Sequence, residues 1–430
     1  MKKRLPIICI CISNLIFCLG CADVPSEVQQ EISVLDGIEQ QNQSSVTEKS
    51  EMQYQTLEEI RASAQLLEGR NTGILRVLGT PVIASVDSMP IYKVSSVTLS
   101  DSKTEVYFSH VKDSLEESLN FSLPKPQWDH YSEPCTEISV QDQDGNIHTE
   151  NMSSYQWMYY IDGLCALRED ESASLGISTH GAVCNFWQNT DPPVYYTNLI
   201  TQKTVPVGYD NSVLSESFSM MNDEEWSLSD AKKFAEDYFN STFGDWCGKV
   251  SFVVKEIRVL KLPDSGFGYD ITLQQIYDDK IPLLPLGRLH YQNDSSGDVL
   301  FGKTCSMWCV VPNRVQNFSM NGLYSIGQGE ETDKLLTAES ALAIVSEALA
   351  QKKVHSVYME LGYAGMVSGS KYMQITGNCN DLDFVLQNGD FASCTAMPYW
   401  FIWEPVEGMK SRMSGNYYMV NALTGELEIL

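Results

Sequence analysis

Positive charge is scarce in this 430-residue chain. Its 29 lysines and arginines stand against 56 aspartates and glutamates, a formal net charge of −27. Nucleic-acid binding wants a basic stripe, so that class is excluded. A flat seat on an anionic membrane is excluded by the same balance. Histidine is scarce too: His110, His130, His148, His180, His290 and His355 are the full set. None of them forms an H-E-x-x-H or another close ligand pair, and each reads as an ordinary surface or core residue. Beyond the first 20 residues no run of 18 apolar residues occurs, so no later segment has the make-up of a spanning helix. A G-x-S-x-G elbow and a Walker loop are both missing. Ser100–Lys103 and Ser368–Lys371 fit S-x-x-K, but the accompanying S-D-N and K-T-G elements are absent. Close carboxylate pairs such as Glu169/Asp170 are inevitable in so acidic a chain. The residues thus name no catalytic group, no metal site and no cofactor.

What is present begins at the N-terminus. Lys2, Lys3 and Arg4 give a positive start, Leu5 to Leu19 are mostly apolar, and the run ends at Gly20-Cys21-Ala22. That order describes a secretory signal, and the apolar stretch is short for a transmembrane helix. Cys18-Leu19-Gly20-Cys21 resembles a lipobox, with Cys18 where the usual leucine stands. The resemblance implies cleavage after residue 20, a diacylglycerol on Cys21 and lipid anchoring on the outer face of a bacterial cell membrane. Loss of the signal removes three basic residues and leaves 26 against 56 acidic, a net charge of −30.

Eight cysteines remain after Cys21. The close pairs are Cys165/Cys184, Cys305/Cys309 and Cys379/Cys394. An exported protein permits disulfides. Cys165 with Cys184 and Cys379 with Cys394 are the candidates, and free buried thiols are the other reading. Cys305 and Cys309 share a strand face about 13 Å apart, too far to bond.

Residues 21–70 read as the lipidated cysteine and a flexible acidic tether, rich in Gln, Ser and Glu, with a short helix at its end. About 35 residues of coil reach about 30–35 Å. An N-terminal α+β domain is expected over 71–205, with a strand entry at Pro90–Val94, a helix over Ser102–Leu119 and a hairpin over Ile138–His148 turning at Asp144-Gly145.

The two remaining regions look like a repeat. Ser227 and Thr337 each cap a helix whose apolar positions fall at 231, 234, 235, 238 and at 341, 344, 345, 348, an offset of 110 throughout. Alternating strands follow each helix. Three pieces of the last 95 residues carry a resemblance: Leu336-Thr-Ala-Glu-Ser-Ala341, Pro398-Tyr-Trp-Phe-Ile-Trp403, and Tyr417 to Leu427, where Asn421 and Thr424-Gly425 make a turn. They resemble the opening helix, middle strand and closing hairpin of the PepSY family. The layout as a whole is similar to lipoproteins of Gram-positive bacteria that carry a domain of unknown function. The resemblance implies an α+β fold, with the N-terminal domain followed by two PepSY-like modules at 222–330 and 334–430, each a helix packed on an antiparallel sheet. It also implies a non-catalytic module that binds or regulates an exported protein. A solute-capturing lipoprotein and a cell-wall hydrolase are the alternatives. On the strand Tyr399, Trp400, Phe401 and Trp403 alternate faces. One face belongs in the core, and the other is the candidate binding surface.

Overall fold

The computed structural model describes residues 52–429, apart from 117–121, 130–136, 142–146, 152–162, 180–181, 190–198, 264–265, 285–298, 302–303, 350–353, 368–393, 406–416 and residues 171, 210, 247 and 321. Cys21, most of the tether, Cys379 and the Ser368–Lys371 motif lie outside the described residues.

Four α-helices stand among the described residues: α1 (Leu57–Ala64), α2 (Asp101–Glu116), α3 (Leu228–Phe243) and α4 (Ala338–Ala348). Their starts follow from capping side chains. Ser227 accepts from the Asp230 N–H, Thr337 from the Ser340 N–H, and Thr56 shares a reciprocal capping box with Glu59. In α2 the buried stripe is Thr104, Phe108, Val111 and Leu115, which is one face at helical spacing.

Everything else of size is strand. The α+β class, with separate helix-on-sheet modules, is overturned: the chain is mostly β and builds two ten-stranded sheets. The first sheet runs Ile200–Pro206, Val250–Lys261, Phe267–Tyr277, Thr304–Cys309, Asn317–Met320, Cys184–Gln188, Ala173–Ser178, Gly163–Leu167 and Gln127–Asp129, with Ile281–Pro282 beside its third strand. The second centres on His355–Val367, Cys394–Trp403, Tyr417–Asn421 and Leu427–Ile429. Leu75–Val77 and Val82–Ile83 join it in parallel on His355–Val367, and Ile91–Ser96 joins Cys394–Ala396 and carries Tyr324–Glu330 outside it.

The physical reason is edge pairing. A four-stranded meander after each helix would leave rows of open N–H and C=O groups along both edges. In the first sheet Ile200–Pro206 and Cys184–Gln188 fill both edges, and in the second Leu75–Val77 and Val82–Ile83 fill the edge at His355–Val367. Val299–Phe301 and Tyr324–Glu330, expected with the first module, pair within the second sheet.

The end of the expected tether is also packed. Tyr54 and Gln55 pair with Leu336 and Leu335, and Leu57, Ile60, Ala64 and Leu67 are buried. The hairpin forms as Glu137–Gln141 against Ile147–Asn151. In the closing hairpin, Asn421 Oδ1 accepts from the Leu423 and Thr424 N–H groups while Gly425 takes φ 77°, a conformation glycine adopts freely.

α2 and α3 lie on one face of the first sheet. Beneath α3, Phe239 and Phe243 meet Phe252 and Phe318 at centroid distances of 5.4 Å (Phe239–Phe252) and 5.6 Å (Phe243–Phe318). Burying one such ring contributes about 1.5–3 kcal/mol. α4 lies on the second sheet with α1 beside it.

Candidate functional site

The strand Cys394–Trp403 puts Trp400 and Ile402 on one face and Tyr399, Phe401 and Trp403 on the other. Trp400 is fully buried in the main core and donates from Nε1 to the Leu336 carbonyl at 2.8 Å. The opposite face is closed as well: Tyr399, Phe401 and Trp403 are 3%, 6% and 8% exposed. Phe401 stacks on Tyr417 at 5.7 Å, and Trp403 leans on Tyr358 at 5.0 Å. The expected ligand platform is therefore filled by protein.

What fills it is a junction with the first sheet. Glu360 is the register partner of Phe401, so both share that face. It is 4% exposed. One carboxylate oxygen pairs with Lys255 Nζ at 2.9 Å, and the other accepts from Gln274 Nε2 at 3.1 Å. Lys255 and Gln274 both belong to the first sheet. Tyr209 donates to the Met359 carbonyl at 3.0 Å, and the Leu284 N–H donates to the Tyr363 carbonyl at 2.7 Å. Burial, and then the charge of Glu360, push the Tyr209 hydroxyl well above its ordinary pKa. Gly362 lies where a Cβ would meet Leu284 Cδ2 at 2.8 Å, so the junction is closed to one methyl group. The aromatic face joins two sheets.

The thiols are also corrected. Cys165 and Cys184 form no disulfide with each other. They sit on the two strands that flank Ala173–Ser178, so about 10 Å separates their backbones, beyond disulfide reach. Cys305 and Cys309 are fully buried thiols, and Cys305 Sγ accepts from Gln275 Nε2 at 3.3 Å. Desolvation raises the pKa of Cys184 and Cys309 and keeps them protonated. Cys394 enters the second sheet opposite Val94. Ser100 of the first S-x-x-K is a helix cap: its Oγ accepts from the Lys103 N–H at 3.4 Å. His355 Nδ1 lies 3.0 Å from Glu404, which also accepts from the Tyr418 hydroxyl at 3.2 Å. Among the described residues no three His, Cys, Asp or Glu side chains gather to hold a metal ion, and no helix is long and apolar enough to cross a membrane.

An open site lies elsewhere, along α3. A groove of about 1180 Å³ runs between the outer stripe of the helix and the turn at Pro312-Asn313. Its aromatic side is Trp226, Phe234 and Tyr238. Trp226 stacks on Tyr269 at 5.4 Å and meets Phe234 edge-on at 5.9 Å, which holds the rings rigid. Tyr238 is buried, and desolvation raises its pKa. Its charged rim is Glu224, Glu225, Asp230 and Asp237 against Lys233 alone, four negative charges to one positive. Lys233 is already paired with Asp237. Glu224 and Glu225 stand exposed.

Two facts place these groups. Ser227 starts the helix at Leu228, so Asp230, Lys233, Phe234 and Asp237 follow at three- and four-residue spacing and share one side. Trp226 is held in a short strand by pairing with Phe218. The sequence carries the signal in Asp223-Glu224-Glu225-Trp226, an acidic run beside a tryptophan, but the turn at 312–313 that completes the groove is remote in the chain. A scan of protein-family models and a search of curated proteins both end without a match for this chain.

Proposed function

We propose that this chain is a lipid-anchored extracytoplasmic protein that binds or regulates an exported protein and performs no chemistry of its own. The groove along α3 carries the reading. It is shallow and open, is backed by packed rings, and offers both apolar surface and charge, the combination that recognition sites use. The signal-like N-terminus with Cys21 supports the location, and the resemblance of 337–430 to the PepSY family supports a binding role.

The anchoring half is tested with Cys21→Ser. The natural chain is expected in the membrane fraction with residues 1–20 removed and lipid on Cys21, and the variant outside that fraction. A natural chain found outside the membrane fraction, without lipid, overturns this half. The binding half is tested by mild crosslinking of cells and purification of the full-length chain in detergent. One exported protein recovered near one-to-one supports it, and recovery of no exported protein overturns it.

A further inference from the structure

The residues around α3 and α4 correspond at an offset of 110, Ser227 to Thr337 at the caps. Beside α4 the flank is occupied by the chain itself. Tyr54 and Gln55 pair antiparallel with Leu336 and Leu335. The Thr337 N–H donates to the Gln53 carbonyl at 2.9 Å, and the Gln53 N–H donates to Ser340 Oγ at 3.0 Å. Met52 continues to the closing hairpin, where a Cβ on Gly425 would lie 2.5 Å from its sulfur and 3.5 Å from Ile344 Cδ1.

The counterparts of Leu335, Leu336, Ser340 and Ile344 are Glu225, Trp226, Asp230 and Phe234. All four line the groove beside α3. In strand order, and not at the 110 offset, the hairpin of Gly425 corresponds to the one that turns at Pro312-Asn313, which lines the groove too.

Glu225–Ser227 already has one neighbour, Ser217–Ser219, but on its other side. There the Leu228 N–H donates to the Glu216 carbonyl. Beside α4 the donor to the docked segment is Thr337, the counterpart of Ser227, one residue earlier. Successive N–H groups of an extended chain point to opposite sides. The side that Met52–Gln55 uses on α4 is therefore the groove side on α3.

We infer that the groove takes an extended, basic segment of the exported partner, which lies along Glu225–Ser227 as an added strand. This rests on the binding reading above and names the chemistry of what is bound. Main-chain hydrogen bonds hold such a strand, and side-chain pockets select it. The selection is by charge. Where the α4 flank has Lys334, Leu335 and Ser340, the α3 flank has Glu224, Glu225 and Asp230. A neutral segment, Met-Gln-Tyr-Gln, fits the first set, and lysine or arginine fits the second. Trp226 adds a second observation. It lines the groove while only 4% exposed, and its Nε1 is buried with no hydrogen-bond partner among the described residues.

The test uses the full-length chain in detergent and two dye-labelled peptides, one alternating lysine with valine and the other glutamate with valine, read by fluorescence anisotropy. The lysine peptide is expected to bind and the glutamate peptide not. Reversing two exposed charges in Glu224→Lys/Glu225→Lys is expected to weaken binding about tenfold. Asn313→Cys is expected to form a disulfide with a lysine peptide bearing a terminal cysteine, which fixes the location. Equal binding of both peptides, or binding unchanged in the double variant, overturns the inference. So does self-association of the natural chain that the double variant abolishes, because the occupant is then a second copy. An exported partner recovered equally with natural and double-variant chains overturns the groove assignment and leaves the binding reading standing. Lysine-peptide binding lost in the double variant, with no exported partner recovered, does the reverse.

Discussion

α3 and α4 are capped alike, but the volume between helix and sheet is filled by aromatic rings from both sides under α3 and by the sheet's bulk under α4. Under α3 the helix supplies the bulk through Tyr238, Phe239 and Phe243, met by Phe252 and Phe318 of the sheet. Under α4 the helix supplies Ala338, Ala341, Leu342 and Val345, and the sheet supplies Trp400. Interiors pack to a fixed density, so small residues on one side require large ones on the other. The outer flanks differ as well. α4 is covered by Met52–Gln55 and α1, whereas the groove runs along α3. Similar local signals thus yield one helix built into the scaffold and one left beside an open site.

The sharpest way to break this comparison is Trp400→Ala. It removes the bulk that α4 lacks and leaves the Leu336 carbonyl without its indole donor, and a loss of about 3–5 kcal/mol is expected in urea denaturation. A loss no larger than that of a surface substitution would refute the account of α4. Next is Glu360→Ala, which strands Lys255 inside the junction. Breaking a buried pair costs about 3–5 kcal/mol, and the low end is expected because the Lys255 side chain keeps 11% exposure. Converting both partners to apolar residues, Glu360→Leu with Lys255→Met, should recover most of it. Full additivity of the two single changes would count against the pair. Gly362→Ala pushes a methyl into Leu284, and about 1–3 kcal/mol is expected, measured the same way. Smallest are the caps. Ser227→Ala and Thr337→Ala should each cost about 1 kcal/mol, and near equality would sharpen the claim that the two helices differ in packing and share their initiation.

The helices were legible because their causes are local: a cap at Ser227 or Thr337 and apolar residues at helical spacing. Long strands such as Val250–Lys261 and His355–Val367 were legible from the alternation that follows each helix. Pairing was not legible. Nothing near Ile91–Ser96 says that its neighbours are Tyr324–Glu330 and Cys394–Ala396, so local pattern alone sets the N-terminal strands apart and points to α+β where the pairing builds large sheets. The aromatic strand failed for a related reason. Its outer face is covered by Glu360, Lys255, Gln274 and Tyr209, and three of these read as solvent-facing until they are seen to satisfy one another. The groove was half legible, in an acidic run beside Trp226, and half hidden in a distant turn.

The parallel ladder between Leu75–Val77 and His355–Val357 also sets a clock. A ribosome releases the first of these strands long before the second, and the closing strand Leu427–Ile429 comes last of all. Until His355–Val357 and Cys394–Ala396 are made, the N-terminal strands have no place in the second sheet. Contacts so remote in sequence form slowly. The export proposed for this chain would gain from that delay, because the native state is out of reach while the chain is still being made.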